Sequence, residues 1–353
     1  MRLTKLREAL AAEGLDAILI TQPENRRYLS GFTGSAGVLL ISADEAIIAT
    51  DFRYYEQAEK QAPDFCLAKI TDKFKALLPE LVQQVGAKRV GFESTHLTVD
   101  QYQQWQEVAE GFELVPTKEL VERIRAVKDD DELGKIRKAI ALSDEAIAHI
   151  VGFIEPGMTE KEVAWELEVF MRTRGAEKLA FDLIVGSGPN GAMPHATVSE
   201  RVIRAGEPIV IDLGAMIDGY NSDLTRTICA GQADDKFKEI YDIVLTAQLT
   251  AEQSIRPGMT GKQADAIARQ VIEEAGYGEN YGHGLGHGVG LAVHEKPTVG
   301  RLSEDVLEPG MVFTVEPGIY LPGWGGVRIE DIVVLREDGA EVLTQASKDV
   351  SEQ

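Results

Sequence analysis

The feature that most constrains this 353-residue chain is an internal repeat. Glu155-Pro-Gly-Met-Thr159 recurs as Arg256-Pro-Gly-Met-Thr260. Each copy follows a helical stretch and opens another through a capping box, Thr159 with Glu162 and Thr260 with Gln263. There the side chains satisfy N–H groups that a helix start leaves without partners. Downstream, Gly206-Glu-Pro-Ile-Val-Ile-Asp212 parallels Gly310-Met-Val-Phe-Thr-Val-Glu316, with the acidic residue at the same offset from the glycine. A repeat of this length marks duplicated supersecondary units that share a core. Residues 123–353 are therefore expected to form two related helix–helix–sheet halves facing one another, with one acidic strand in each. Duplicated packing alone would account for the Pro-Gly turns but not for the matched acids.

The preceding residues follow another pattern. Short β-rich runs at 17–21, 37–42, 46–50 and 89–92 alternate with helical stretches at 4–13, 54–61 and 72–85. That predicts an α/β domain over residues 1–122. A charged segment, 121–132, then leads into a long helix through Ile136, Ile140, Ile147 and Ile150, whose spacing of three and four gives it one buried face. The chain is too long for one ordinary core, so two domains are expected. A formal net charge of −22 disfavours nucleic acid and anionic membrane surfaces, which need basic patches. Two cysteines, Cys66 and Cys229, cannot build a disulfide framework and suggest a reducing compartment. The N-terminus carries no signal-peptide pattern, and no apolar run approaches the roughly 18 residues of a membrane span. The expected location is the cytoplasm.

The acidic strands carry the chemistry. After Ile209-Val-Ile-Asp212, the pair Asp218-Gly219 is a favoured two-residue hairpin loop. With that loop Asp223 lies opposite Gly214, so Asp212 and Asp223 project from one sheet face as diagonal neighbours. Two anions so placed repel unless a cation lies between them. In the second half Glu316 ends the apolar run 311–315, and Glu330 follows the turn-rich stretch 322–326. A turn centred near Trp324 would again put both carboxylates on one face, which Arg328 shares. Arg328 then either pairs with a carboxylate or orients a ligand.

Of six histidines, four fall at His195, His283, His287 and His294. His283 and His287 lie in Gly282-His-Gly-Leu-Gly-His-Gly-Val-Gly290, where the loss of side chains costs conformational entropy and fits close approach of backbone to an ion or ligand. One of these imidazoles can supply a nitrogen ligand to a metal otherwise held by oxygen. His96 and His149 have no such context and read as surface or packing residues. Four carboxylates would be neutralised by two divalent ions. Oxygen-rich ligation with one imidazole suits manganese or cobalt, with zinc left open. Two such ions, about 3.5–4 Å apart, can share a hydroxide and polarise a carbonyl. His195 and His294 could then hydrogen-bond an oxyanion or move a proton. Gly186-Ser-Gly188-Pro-Asn-Gly191 matches a dinucleotide-binding fingerprint, but Pro189 and Pro194 spoil the helix that must follow. No second histidine follows His294 at helical zinc-protease spacing, and no G-x-S-x-G occurs.

The set Asp212, Asp223, His287, Glu316 and Glu330 resembles the ligand set of the pita-bread metallopeptidases, which include methionine aminopeptidase, aminopeptidase P and prolidase. Asp212-Leu-Gly, Gly219-Tyr-Asn-Ser-Asp223-Leu-Thr-Arg-Thr, His283-Gly-Leu-Gly-His287, Val293-His-Glu, Glu316-Pro-Gly-Ile-Tyr and Gly326-Val-Arg-Ile-Glu-Asp are similar to the proline-specific branch. Asn25-Arg-Arg-Tyr-Leu-Ser-Gly-Phe-Thr-Gly-Ser and Asp51-Phe-Arg-Tyr54 resemble its creatinase-type N-terminal domain. The resemblance implies an α/β (α+β) chain with that domain at 1–122 and a pseudo-twofold pita-bread catalytic domain at 123–353. It implies that Asp223 and Glu330 bridge two divalent ions, that Asp212 chelates one, and that His287 and Glu316 complete the other. His195, His283 and His294 would face the substrate, with Arg328 supporting the site. A homodimer is implied, as are short peptides with proline second as substrates.

An aminopeptidase P-like enzyme accepting both dipeptides and longer chains is the favoured expectation, because Arg328 sits among the ligands and does not count as a clamp for a free proline carboxylate, and no other clamp motif is clear. Xaa-Pro dipeptidase (prolidase) is the alternative. Methionine aminopeptidase lacks this N-terminal domain, and creatinase works without metals. A non-catalytic binding module would be expected to have lost ligands, and all five are present.

Overall fold

In the computed structural model, which describes residues 1–349, the chain divides into a unit Met1–Arg125 and a second unit beginning at Ala126. The first unit holds strands β1 (Ala17–Ile20), β2 (Val38–Ser42), β3 (Ala46–Asp51), β4 (Cys66–Ile70), β5 (Arg89–Glu93) and β6 (Glu113–Thr117) in one sheet of order β4-β3-β2-β1-β5-β6. The β1–β2 and β2–β3 pairs are antiparallel, and the rest are parallel. Helices α1 (Arg2–Ala12), α2 (Pro23–Ser30), α3 (Tyr55–Gln61), α4 (Phe74–Gln84), α5 (Val99–Gln106) and α6 (Leu120–Ala126) connect or flank these strands. Both the expected division after residue 122 and the observed one after Arg125 fall within α6.

The core strand β1 is buried at all four positions, as a run of Ala-Ile-Leu-Ile requires. The sheet edges were not anticipated. β4 is only partly buried along its length, and β6 contains Pro116, which a sheet tolerates at an edge. Nor was α2, a polar segment that begins on Pro23 and stops where Gly31 turns left-handed at φ 79°.

In the second unit, α7 (Asp130–Val151) and α8 (Glu160–Thr173) precede β7 (Lys178–Leu179), β8 (Ile184–Ser187), β9 (Pro208–Leu213), β10 (Ala215–Ile217), β11 (Tyr220–Asn221) and β12 (Leu224–Cys229). Then α9 (Asp235–Ser254) and α10 (Gly261–Glu274) precede β13 (Gly286–Gly288), β14 (Glu295–Val299), β15 (Val312–Val315), β16 (Gly318–Leu321), β17 (Gly325–Arg328), β18 (Asp331–Arg336) and β19 (Gly339–Val342). The order helix–helix–sheet thus occurs twice. Ile136, Ile140, Ile147 and Ile150 form the buried face of α7. Ile147 and Ile150 pack with α8, β9 and β12 into one core, while α9 and α10 pack on β15 to β18 in another.

The repeat is visible in its hydrogen bonds. Thr159 and Thr260 cap α8 and α10 with both arms of the box in place. Gly157 N donates to Ile203 O at 2.9 Å, and Gly258 N donates to Leu307 O at 2.8 Å. Each Pro-Gly-Met-Thr turn therefore ties its helix to the strand approach of its own half.

Candidate metal centre and active site

Strand register places the acids. In the first half Ile217 pairs with Tyr220 and Leu213 with Leu224, so the loop is Asp218-Gly219, with φ of 52° and 78°. Both values are positive, as a tight hairpin turn with right-handed twist demands. The same register sets Asp223 opposite Gly214, two residues from Asp212. A side chain at Gly214 would run into the Ser222 carbonyl oxygen, so only glycine allows this approach. In the second half Val315 pairs with Asp331 and Leu321 with Gly325. That turn is centred on Gly323, not on the expected Trp324, and the register sets Glu316 directly opposite Glu330. The acids of the first half are diagonal neighbours, and those of the second half face each other.

His287 joins them from β13. Its Nε2 lies 3.6 Å from Asp223 Oδ2 and 3.4 Å from Glu316 Oε1. Its Nδ1 lies 3.2 Å from the Gly288 carbonyl oxygen, which can only accept, so Nδ1 carries the proton and the lone pair of Nε2 faces the acids, where a cation could accept it. Ligand atoms of Asp223, His287 and Glu330 all lie within 4.8 Å of one another. Two threonines orient the carboxylates. Thr225 donates to Glu330 Oε2 at 2.6 Å while accepting from Arg328 Nε, and Thr314 donates to Glu316 Oε1 at 3.1 Å while accepting from His287 N.

Without a cation this cluster is electrostatically frustrated. Burial pushes the Asp223 carboxyl well above its ordinary range, and the charges of Glu330, Asp212 and Glu316 add to the rise. Glu330 and Glu316 are raised for the same first cause. Asp212 Oδ1 is buried with no hydrogen-bond partner among the described residues. An orphaned carboxylate oxygen, mutually repelling acids and a free imidazole lone pair together fit divalent cations.

Arg328 is fully committed. It donates to Asp212 Oδ2 at 2.6 Å, Tyr320 Oη at 2.9 Å, Thr225 Oγ1 at 3.0 Å and the Pro194 carbonyl oxygen at 3.2 Å. It is the carboxylate partner, not a free ligand-orienting group. His283 is likewise engaged: Nδ1 donates to Gly284 O at 2.8 Å, so Nε2 accepts from Tyr320 Oη–H at 2.9 Å. Both ring nitrogens of His283 are thus engaged within the protein, while the ring itself lines the cavity onto which the ligand cluster opens. Tyr320, which the sequence reading had not placed in the site, links His283 to Arg328.

The ligand cluster opens on a cavity of about 1330 Å³, whose wall includes His195, His283, His287 and His294. The His294 ring lies 4.0 Å from that of His287 between centroids. Burial lowers its pKa to about 4, assisted by His287 and His195. His294 is therefore neutral at neutral pH and able to donate or accept a hydrogen bond. His96 is exposed, and His149 packs on Phe170 and bonds Glu166 at 2.7 Å, as packing residues do. Cys66 and Cys229 are both free thiols.

Comparison with known proteins places the chain. Metallopeptidase family M24 matches residues 134–337, and the Creatinase/Prolidase N-terminal domain matches residues 2–127. The chain belongs to metallopeptidase family M24. This M24 peptidase is 38% identical to a Xaa-Pro dipeptidase of Pyrococcus furiosus over 99% of both chains. A solved Xaa-Pro dipeptidase from Bacillus anthracis superposes with a TM-score of 0.96 at 46% identity, covering 99% of this chain and 98% of that one. An X-Pro aminopeptidase from Thermotoga maritima superposes with a TM-score of 0.89 at 40% identity, covering 97% and 99%. The fold is thus the creatinase N-terminal and pita-bread pair, in an enzyme. Family membership implies divalent metal ions, which the buried Asp223, His287 and Glu330 group fits.

Proposed function

We propose that this M24 peptidase hydrolyses the Xaa-Pro bond of short peptides, with Xaa-Pro dipeptides as its preferred substrates, by means of two divalent ions held by Asp212, Asp223, His287, Glu316 and Glu330. The observation that carries the reading is the convergence of four carboxylates and the free Nε2 of His287 on one buried cluster at a cavity wall. The dipeptidase alternative gains over the longer-chain aminopeptidase from the relatives named Xaa-Pro dipeptidase. Manganese or cobalt suits this donor set, and such ions supply Lewis acidity that activates water and polarises the scissile carbonyl.

The chain's own residues do the rest. Arg328 and Thr225 hold Asp212 and Glu330 in orientation, and Thr314 holds Glu316. His294, neutral and beside His287, donates a hydrogen bond to the carbonyl oxygen as charge develops there. His195, on the same wall, moves a proton toward the departing proline nitrogen. Proline lacks an N–H and restricts the residue before it, so the reacting bond differs in shape from an ordinary peptide bond. The homodimer implied by the family resemblance and the cytoplasmic location expected from the sequence belong to this proposal too, and light scattering on the purified protein tests the dimer.

The primary test is hydrolysis of Xaa-Pro against matched Xaa-Ala dipeptides by manganese-loaded protein, with metal stoichiometry measured in parallel. Cleavage of Xaa-Pro with about two ions bound is expected. Protein that binds no divalent ion and cleaves neither peptide refutes the reading and favours a binding module.

A further inference from the structure

Among the described residues no hydrogen bond holds the His294 ring, whose aromatic neighbour is His287 at 4.0 Å between centroids. Its aim is therefore set by the backbone that carries it, the loop 289–294 between β13 and β14. On one side β11 ties the loop down. Asn221 N donates to Gly290 O at 2.9 Å, and Asn221 Nδ2 donates to Gly290 O at 3.0 Å and to Leu291 O at 3.1 Å. On the other side stands Glu295. Its Oε2 accepts from Ala292 N at 3.2 Å, and its Oε1 lies 2.9 Å from Lys128 Nζ. The two side chains are only 5% and 1% exposed. A side-chain carbon at Gly290 would come within 2.5 Å of Glu295 Oε1, so the carboxylate lies against the loop backbone itself. Glu295 is turned into the protein, while its neighbour His294 lines the cavity.

Lys128 is itself anchored. Val127 bridges Met311, Lys128 N donates to Gly310 O at 2.9 Å, and Lys128 Nζ donates to Ala126 O at 3.2 Å. A side chain at Gly310, where φ is 88°, would come within 2.9 Å of Val127 Cγ1, so glycine permits this approach. The next residue, Asp129, caps α7 with both arms of a capping box. A buried lysine–glutamate pair contributes little net stability over apolar residues of the same volume, because both charges lose their water. Its effect here is geometric: it fixes the distance between the start of α7 and the histidine-bearing loop.

We infer that Lys128 is a positioning residue, which through its buried pair with Glu295 holds the loop 289–294 and so aims His294 at the substrate carbonyl. The inference rests on the role given to His294 above and deepens it. A donor aimed at developing charge acts only at hydrogen-bond distance, and a misplacement of about 1 Å can lower turnover by about 100-fold.

The test measures kcat and KM on a Xaa-Pro dipeptide for Lys128→Met and Lys128→Arg, each with His294 intact and in a His294→Ala background. Lys128→Met is expected to lower kcat about 10- to 100-fold with KM within about threefold and with about two metal ions still bound. Lys128→Arg keeps the charge and should recover part of the loss. In the His294→Ala background, Lys128→Met should cost less than about twofold, because the group it positions is gone. In metal-free protein, the histidine NMR signal that vanishes in His294→Ala should shift or broaden in Lys128→Met and return in Lys128→Arg. If Lys128→Met does not fold, Lys128→Met/Glu295→Gln, which removes both buried charges, carries the same comparisons. Unchanged kcat in Lys128→Met, an equal loss in both backgrounds, or loss of metal overturns the inference while the Xaa-Pro reading stands. A His294→Ala enzyme with full turnover overturns the role of His294 and the inference with it. A wild-type enzyme that cleaves no Xaa-Pro peptide overturns the Xaa-Pro reading as well.

Discussion

Replacing Asp223 with asparagine should move stability in opposite directions with and without metal. Oxygens of Asp223 and Glu330 lie within 4.8 Å of each other. Two unit charges at about 5 Å and an effective dielectric constant of about 20 repel by roughly 3 kcal/mol. Partial protonation relieves some of that, so Asp223→Asn should stabilise the metal-free protein by about 1–3 kcal/mol. For a domain of this size that is a rise in Tm of roughly 3–8 °C. The sign agrees with linkage. A carboxyl raised by burial holds a proton that the unfolded chain releases, so its contribution is present below the ordinary value of 3.8 and is lost as pH rises. The mutation removes that loss. With manganese the order reverses, because a saturating ligand at 100 times its Kd adds about 2.7 kcal/mol to the wild type, and the variant forfeits one of the proposed ligand charges. Thermal unfolding of both proteins, with chelator and with manganese, reads both signs. A variant with a lower metal-free Tm and an undiminished manganese response would refute the ligand assignment.

Two further outcomes are expected. Alanine at His195 or His294 should lower turnover by about 10²–10⁴-fold while metal content is unchanged, and loss of metal from either variant would make that histidine a ligand. Away from the site, burial and the Asp331 carboxylate push Glu252 up to about 8 despite its contact with Lys348. Stability linked to that proton is present below the ordinary 4.5 and lost as pH rises to about 8. Glu252→Gln should flatten the fall in urea midpoint across this window, and an unchanged slope would show that Glu252 is ionised throughout.

The clustering of the five proposed ligands was legible because turns and strand register are local. Asp218-Gly219 fixes the first hairpin by backbone sterics alone, and the repeated offset from Gly206 and Gly310 to the acids carries the second half along. The softer second turn, with glycines at 323, 325 and 326, allowed an error of one residue in its centre. What could not be read was the support around the ligands. Thr225 and Glu330 are 105 positions apart, and Arg328 reaches Pro194 across 134. No local pattern encodes such pairs. The motif 186–191 shows the same limit from the other side. Its glycines look like a phosphate cradle, but Gly191 sits where a side chain would come within 2.9 Å of Gly186 O and 3.3 Å of Gly326 N, so it serves close packing of this loop against β8 and β17. The loop is instead braced by Glu160, a fully buried carboxylate that accepts from Ser187 N and Oγ, Asn190 Nδ2, and Ser199 N and Oγ. Ser187 and Ser199 flank His195 in sequence, so one charged residue on the first turn of α8 fixes both ends of the segment that carries it. A buried charge is tolerable only when its lone pairs are filled this completely. The helix start marked by the neighbouring capping box thus also carries the residue, Glu160, that sets where a histidine of the proposed active site stands.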